Sequence, residues 1–226
     1  MSIAVSAVDE PVDGTSLVDR LSEQLRERII VGRYAQGSRV TESRLALDLD
    51  VSRAPLREVI PLLVRDGFLV TAPRRSPVVY RWDTRSITDL FDVRLALEPM
   101  AASLAAEKAR AGDDMSRLRD GLAHAHDVLH GHDALASARV NARFHHEVAE
   151  CSGNILLASL EGSVIGRMTW LFYLTNDRDP DAQCAEHDEI AGAILRGEPA
   201  LAAHLSAAHV ERGRIPTLDA LSSLFE

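Results

Sequence analysis

Cysteine is almost missing from this chain: Cys151 and Cys184 are the whole supply, and neither belongs to a CxxC pair. That scarcity excludes a disulfide scaffold, a zinc ribbon and a dithiol redox motif, and leaves two reduced, buried thiols as the expectation. No run of about 20 uninterrupted apolar residues is present, because Arg, Asp or Glu breaks every candidate, so no membrane span is expected. The opening MSIAVSAVDEPVDG has no basic stretch leading into an apolar core, which argues against a secretory signal and for a cytoplasmic protein. Aromatic residues are only 4% of the chain, whereas hydrophobic residues are 46% and charged residues 26% of its 226 positions. A chain of that length and composition builds its own core without staples.

Lysine is absent from residues 15–81, where 12 arginines face 8 acidic residues. Residues 82–226 carry 13 basic and 23 acidic residues, so the formal net charge of −9 hides a basic first part and a strongly acidic second part. Only the first part is suited to a polyanion. All nine histidines lie in the second part: His124, His126, His130, His132, His145, His146, His187, His204 and His209. Two chemistries in two segments point to two domains.

Residues 1–14 lack apolar periodicity and read as a mobile arm. From Ser16 onward Leu17, Leu21, Leu25 and Ile29 recur every four positions, the stripe of an amphipathic helix ending near Gly32. Thr41 can cap a short second helix with Leu45, Ala46 and Leu49 turned inward, and Ser52 can cap a third carrying Leu56, Ile60 and Leu63. Pro61 is expected to weaken or bend the end of that third helix. Phe68–Thr71 and Pro77–Tyr80 read as two strands around a basic tip. Beyond Asp83 everything reads as helix, near 85–111, 113–130, 133–151, 154–175, 180–196 and 198–213, with Gly, Asn, Asp and Pro breaks between. The expected fold is mainly α: a helix-turn-helix unit with a small β-hairpin over 15–82, then an all-α helical bundle over 83–226.

A short helix, a tight turn and a second helix with a basic leading end is the arrangement that enters the major groove of DNA. Ser52 and Arg53 stand at that leading end, where backbone N–H groups favour phosphate. Arg57 lies one turn past Arg53 on the same exposed face, and two guanidinium groups there can grip phosphate or pair with guanine. Arg74 and Arg75 at the hairpin tip add a basic wing, while Arg26, Arg28 and Arg33 read as a solvated helix face.

The run from Thr41 to Leu69, with its core Val51-Ser-Arg-Ala-Pro-Leu-Arg-Glu58 and a following Asp66-Gly67, resembles the winged-helix signature of the GntR family of bacterial transcription regulators. The resemblance implies DNA contacts from Ser52, Arg53, Ala54, Pro55 and Arg57 and from the wing. It departs from the pattern at Ser43, where some relatives have a DNA-contacting arginine, and in the wing, which reads Arg-Arg-Ser-Pro where a glycine is usual. The implied partner is a double-stranded, pseudo-palindromic operator read by a homodimer.

In the second domain Asn141 and His145 are four residues apart and share a helix face. His187 and His209 sit on later helices able to face them. Three imidazoles and an oxygen donor suit a divalent transition metal such as zinc or nickel, with open positions left for water or an anion. Residues 86–213 resemble the FCD effector domain of the FadR subfamily, through Asp92-Val-Arg-Leu-Ala-Leu-Glu98, Asn141-x-x-Phe-His145, Ser152-Gly-Asn154, Glu186-His187 and His209. Metal-binding members usually have aspartate where this chain has Asn141. Arg94 resembles an arginine that points into the cavity of many relatives, which implies a small-molecule carboxylate effector, since a guanidinium pairs bidentately with such a group. The bland alternative for Arg94 is a surface salt bridge to Glu98. Trp170, Phe172 and Tyr173 read as core. A hydrolase-like role, with a metal-bound water attacking a substrate, is the alternative function; no HExxH-type general base accompanies the histidines. The chain is therefore expected to be a regulator and not an enzyme.

Overall fold

A computed structural model describes residues 16–73, 75–129, 133–175 and 180–222. The arm over 1–14, Arg74, His130 and His132 lie outside the described residues. The chain divides into two compact units, with the boundary between Tyr80 and Arg81. Trp82 belongs to the second unit: it is buried there and meets Trp170 edge-on with ring centroids 5.8 Å apart.

In the first unit, α1 spans Leu17–Ile30, α2 Glu42–Leu49 and α3 Arg53–Arg65. The Ser16 hydroxyl accepts from the Asp19 N–H and the Thr41 hydroxyl from the Arg44 N–H, which closes the first turns of α1 and α2. Ser52 occupies the N-cap position of α3 with extended backbone, but its hydroxyl makes no capping bond. The turn from α2 to α3 passes through Asp50, the only non-glycine residue at positive φ (53°) among the described residues. A short polar side chain tolerates that conformation. Helix α3 continues through Pro61 to Arg65, so the proline removes one hydrogen bond without ending the helix. Gly67 then turns the chain at φ 77°, and the Phe68 N–H bonds the Leu63 carbonyl at 2.8 Å.

Strands β1 (Leu69–Val70) and β2 (Val78–Val79) pair antiparallel, Leu69 opposite Val79. The strands are shorter than the alternation predicts. The segment leading into α2 adds a third edge through the Arg39–Val78 bridge and the Val40 N–H to Pro77 carbonyl bond of 2.9 Å. Leu21, Leu25, Leu45, Leu56, Leu63 and Phe68 form the buried interior of this unit.

The second unit consists of α4 (Thr84–Ala111), α5 (Ser116–Leu129), α6 (Ala134–Cys151), α7 (Ile155–Leu174), α8 (Pro180–Leu195) and α9 (Pro199–Ser222). Helix α9 runs nine residues past its expected end and carries Pro216 within it. Asp83 and Ser86 form a reciprocal capping box at the start of α4. Ala101, Ala102, Ala105 and Ala106 make a fully buried small-residue face on α4, against which Phe144, Val148, Ile190 and Ile194 gather. Helix α4 packs most extensively on α9, and α6 on α7 and α5. By length and composition α7 is apolar enough to cross a membrane, yet it carries the buried Glu161 and takes part in the bundle core through Leu157.

Candidate functional sites

On the first unit most of the described residues expected to contact DNA are exposed. Ser43 of α2 and Ser52, Arg53, Ala54 and Arg57 of α3 are exposed, Pro55 is half-buried, and Arg75 is exposed at the hairpin tip. The burial pattern of α3 explains this: Leu56, Val59, Ile60 and Leu63 face inward, which leaves Arg53 and Arg57 together on the opposite side. Arg57 is not free, since its Nε lies 3.3 Å from Glu42 Oε2, but with 70% of the arginine side chain exposed that pair holds it loosely. Arg53 makes no ion pair among the described residues. Arg44, which the motif reading passed over, is exposed beside Ser43 and extends over the Tyr34 ring, 5.7 Å from its centroid.

In the helical unit His145 of α6, His187 of α8 and His209 of α9 converge, each offering one ligand atom, with those atoms all within 4.8 Å of one another. All three are buried. Two are oriented by carboxylates: His145 Nδ1 lies 2.9 Å from Glu98 Oε2, and His209 Nδ1 lies 2.7 Å from Glu186 Oε2. Such partners fix which ring nitrogen remains available. His187 stacks on Phe144 at 4.0 Å, and its Nε2 is buried without a hydrogen-bond partner. Asn141 donates from Nδ2 to Gln183 Oε1 at 2.9 Å, while its Oδ1 is buried and unpartnered. An unbonded ligand atom within a triad of imidazoles, as at His187 Nε2, suits a divalent transition ion.

Arg94 and Glu98 do form an i,i+4 ion pair, Nε to Oε1 at 2.5 Å, but it is buried within the bundle and not on the surface. The guanidinium lies 5.2 Å from the Phe91 ring and 5.1 Å from the Phe172 ring, and its Nη2 is 3.4 Å from His145 Nε2. Arg94 is thus paired with Glu98, though out of water, and it lies beside His145. Burial pushes the Glu98 carboxyl up, but Arg94 and His145 together hold it well below the usual carboxylate range. Burial carries His145 down to about 4 against the pull of Glu98, and burial with the neighbouring His209 and His145 lowers His187 well below its ordinary value. Both shifts favour the neutral imidazole of His145 and His187, the form in which histidine ligates metals.

A small cavity of about 10 Å³, about one water in size, is lined by Glu98, Phe144, His145, Val148, Ile190 and Ser206. Glu161 of α7 is 1% exposed, neither of its oxygens has a partner, and burial reinforced by the Glu98 charge pushes its carboxyl up to about 8. Glu161 and Gln183 escaped the sequence reading. Gln183 precedes His187 by one helical turn and Glu161 is the lone acid of α7, but neither position reveals in sequence which partner it meets or lacks. His124 and His204 are exposed, whereas His126 pairs with Asp188 at 3.0 Å.

Comparison with known proteins matches residues 17–79 to the bacterial regulatory proteins of the gntR family and residues 89–212 to the FCD domain. The chain belongs to the GntR-family transcriptional regulators that carry an FCD domain. Their members are transcriptional regulators and not enzymes, which sets aside the hydrolase-like alternative. A "Probable D-xylose utilization operon transcriptional repressor" of Paenarthrobacter nicotinovorans is 26% identical over 91% of this chain and 91% of its own length. An uncharacterized HTH-type transcriptional regulator of Bacillus subtilis, YdhC, is 28% identical, with a match spanning 61% of each chain. Among solved structures, a GntR regulator from Rhodococcus sp. RHA1 superimposes with a TM-score of 0.76 at 25% identity, covering 91% of this chain and 99% of that one. The mainly α fold with a winged helix-turn-helix and an FCD bundle is thereby shown.

Proposed function

We propose that this protein is a metabolite-responsive regulator: its winged helix reads a pseudo-palindromic operator as a homodimer, and its helical unit senses a small carboxylate at a histidine-bound metal. Arg53 and Arg57 on α3 are the proposed base- and phosphate-contacting residues, with Ser43, Ser52, Ala54 and Pro55 fitting the groove and Arg74 and Arg75 reaching the adjacent backbone. Two such heads match half-sites about one helical turn apart. The cytoplasm is the proposed compartment.

The observation that carries the sensor reading is the buried convergence of His145, His187 and His209 beside Arg94. Asn141 Oδ1 is the proposed fourth donor. A divalent ion, zinc or nickel, supplies there a Lewis-acidic anchor for a carboxylate oxygen. Glu98 and Glu186 hold the His145 and His209 rings in position, and Arg94 offers N–H donors to an incoming acid. The cavity holds about one water, so admitting an acid requires side chains around Glu98 and His145 to part. That movement is the coupling device: the acid shifts DNA affinity only by its differential affinity for the DNA-competent arrangement.

Selection from random duplex oligonucleotides tests the first part, and elemental analysis after zinc or nickel reconstitution tests the second. An enriched inverted repeat and about one metal per chain are expected. Failure to enrich any site with folded protein overturns the operator reading. Absence of metal after reconstitution overturns the metal reading.

A further inference from the structure

Three imidazoles and one carboxamide form a donor set without negative charge. A divalent ion held by these four alone would keep its full charge inside the bundle, where His145 and His187 are each 4% exposed. Buried charge that is not neutralised is costly. The adjacent carboxylates do not neutralise it: Glu98 is already ion-paired with Arg94 and Glu186 with Arg212, and each pair sums to zero. Arg94 makes the imbalance sharper, since its Nη2 stands 3.4 Å from His145 Nε2, so a cation arriving at that nitrogen meets another cation. Asn141 contributes a dipole only, with its Nδ2 engaged by Gln183 and its Oδ1 left unbonded.

Building on the metal reading above, we propose that metal retention is conditional on an anion: the ion and a carboxylate are held as a pair, and the neutral Asn141 sets the condition. The acid's negative charge lies between the ion and Arg94 and offsets both. By reciprocity the acid strengthens metal binding by the same factor as the metal strengthens binding of the acid. Two negative charges balance the site fully, so a dicarboxylate strengthens retention more than a monocarboxylate does.

The test is zinc affinity of the metal-free full-length protein, measured by competition with a chromophoric chelator, alone and with acetate or succinate. Succinate is expected to tighten zinc by about tenfold or more and acetate by less; weak chelation of zinc by the acids in solution works against that sign. Asn141→Asp is expected to tighten zinc in the absence of acid and to shrink the gain from succinate. The variant keeps its packing because Gln183 can turn its own amide to donate to the new carboxylate. Equal zinc affinity of the wild type with and without acid overturns the proposal while leaving the metal site standing. So does tight acid-independent binding that Glu161→Gln abolishes, since the balancing charge would then come from Glu161. No zinc binding under any condition instead overturns the metal reading on which the proposal rests.

Discussion

The DNA-reading unit keeps Arg53, Arg57 and Arg75 exposed, whereas the helical unit buries an arginine, three glutamates and three histidines. Exposed guanidinium groups interact weakly with their own chain and stay available to a polyanion, as the loose Arg57–Glu42 pair illustrates. Buried ionisable groups cannot be left to water, so each must be paired, neutral or reserved for a ligand. Arg94 and Glu98 take the first course, Glu161 with His145 and His187 the second, and Asn141 Oδ1 with His187 Nε2 the third. The same residue type therefore means different things in the two units.

That contrast can be broken most forcefully at α3. The double change Arg53→Ala/Arg57→Ala is expected to weaken operator binding by about 2–6 kcal/mol in a gel shift and to flatten its salt dependence. The same double variant should melt like the wild type; a large loss of stability would mean the arginines are structural. The opposite behaviour is expected in the bundle. Arg94→Met strands Glu98 and should lower stability by about 3–5 kcal/mol in a denaturant titration, while Arg94→Met/Glu98→Leu should recover most of that loss. Recovery by the double variant is the decisive reading, because a packing defect would worsen instead.

Glu161 sharpens the comparison through pH. Its carboxyl is raised from 4.5 to about 8 by folding, so the folded chain keeps a proton that the unfolded chain releases, and stability falls as pH climbs through that window. Glu161→Gln is expected to stabilise by about 1–3 kcal/mol at pH 7.5 and to have little effect near pH 4.5. A pH-independent difference would show that the carboxyl is not held neutral. His145 has the opposite sign: lowered from 6.5 to about 4, it makes the folded state less stable as pH drops through that interval. The smallest expected effect is Thr41→Ala at the N-cap of α2, about 1 kcal/mol of stability by thermal melting, with operator contacts otherwise unchanged.

Periodicity located the helices because apolar residues must face a core, and Leu21, Leu25, Leu45, Leu56 and Leu63 do so, whereas Leu17 at the start of the expected stripe is exposed. Pro61 does not interrupt α3, since a single lost bond is tolerated when Leu62 and Leu63 continue the packed face. The far end of α9 was missed because Pro216 reads as a stop signal although the helix continues through it. Among the site residues, His145 and Arg94 were legible from spacing and family resemblance. Gln183 and Glu161 were not, because their significance lies in partners 42 residues away or in the absence of any.

By itself the sequence determined the two-part organisation, the arginine-bearing helix and the identity of the histidines, since charge segregation and helical spacing are local properties of the chain. Only the tertiary structure decided that Arg94 pairs with Glu98 out of water, that Gln183 engages the amide of Asn141, and that Glu161 stands without a partner. Those facts depend on which helices meet and how much water they exclude, and it is the exclusion of water that gives a charge, or the lack of one, its energetic weight.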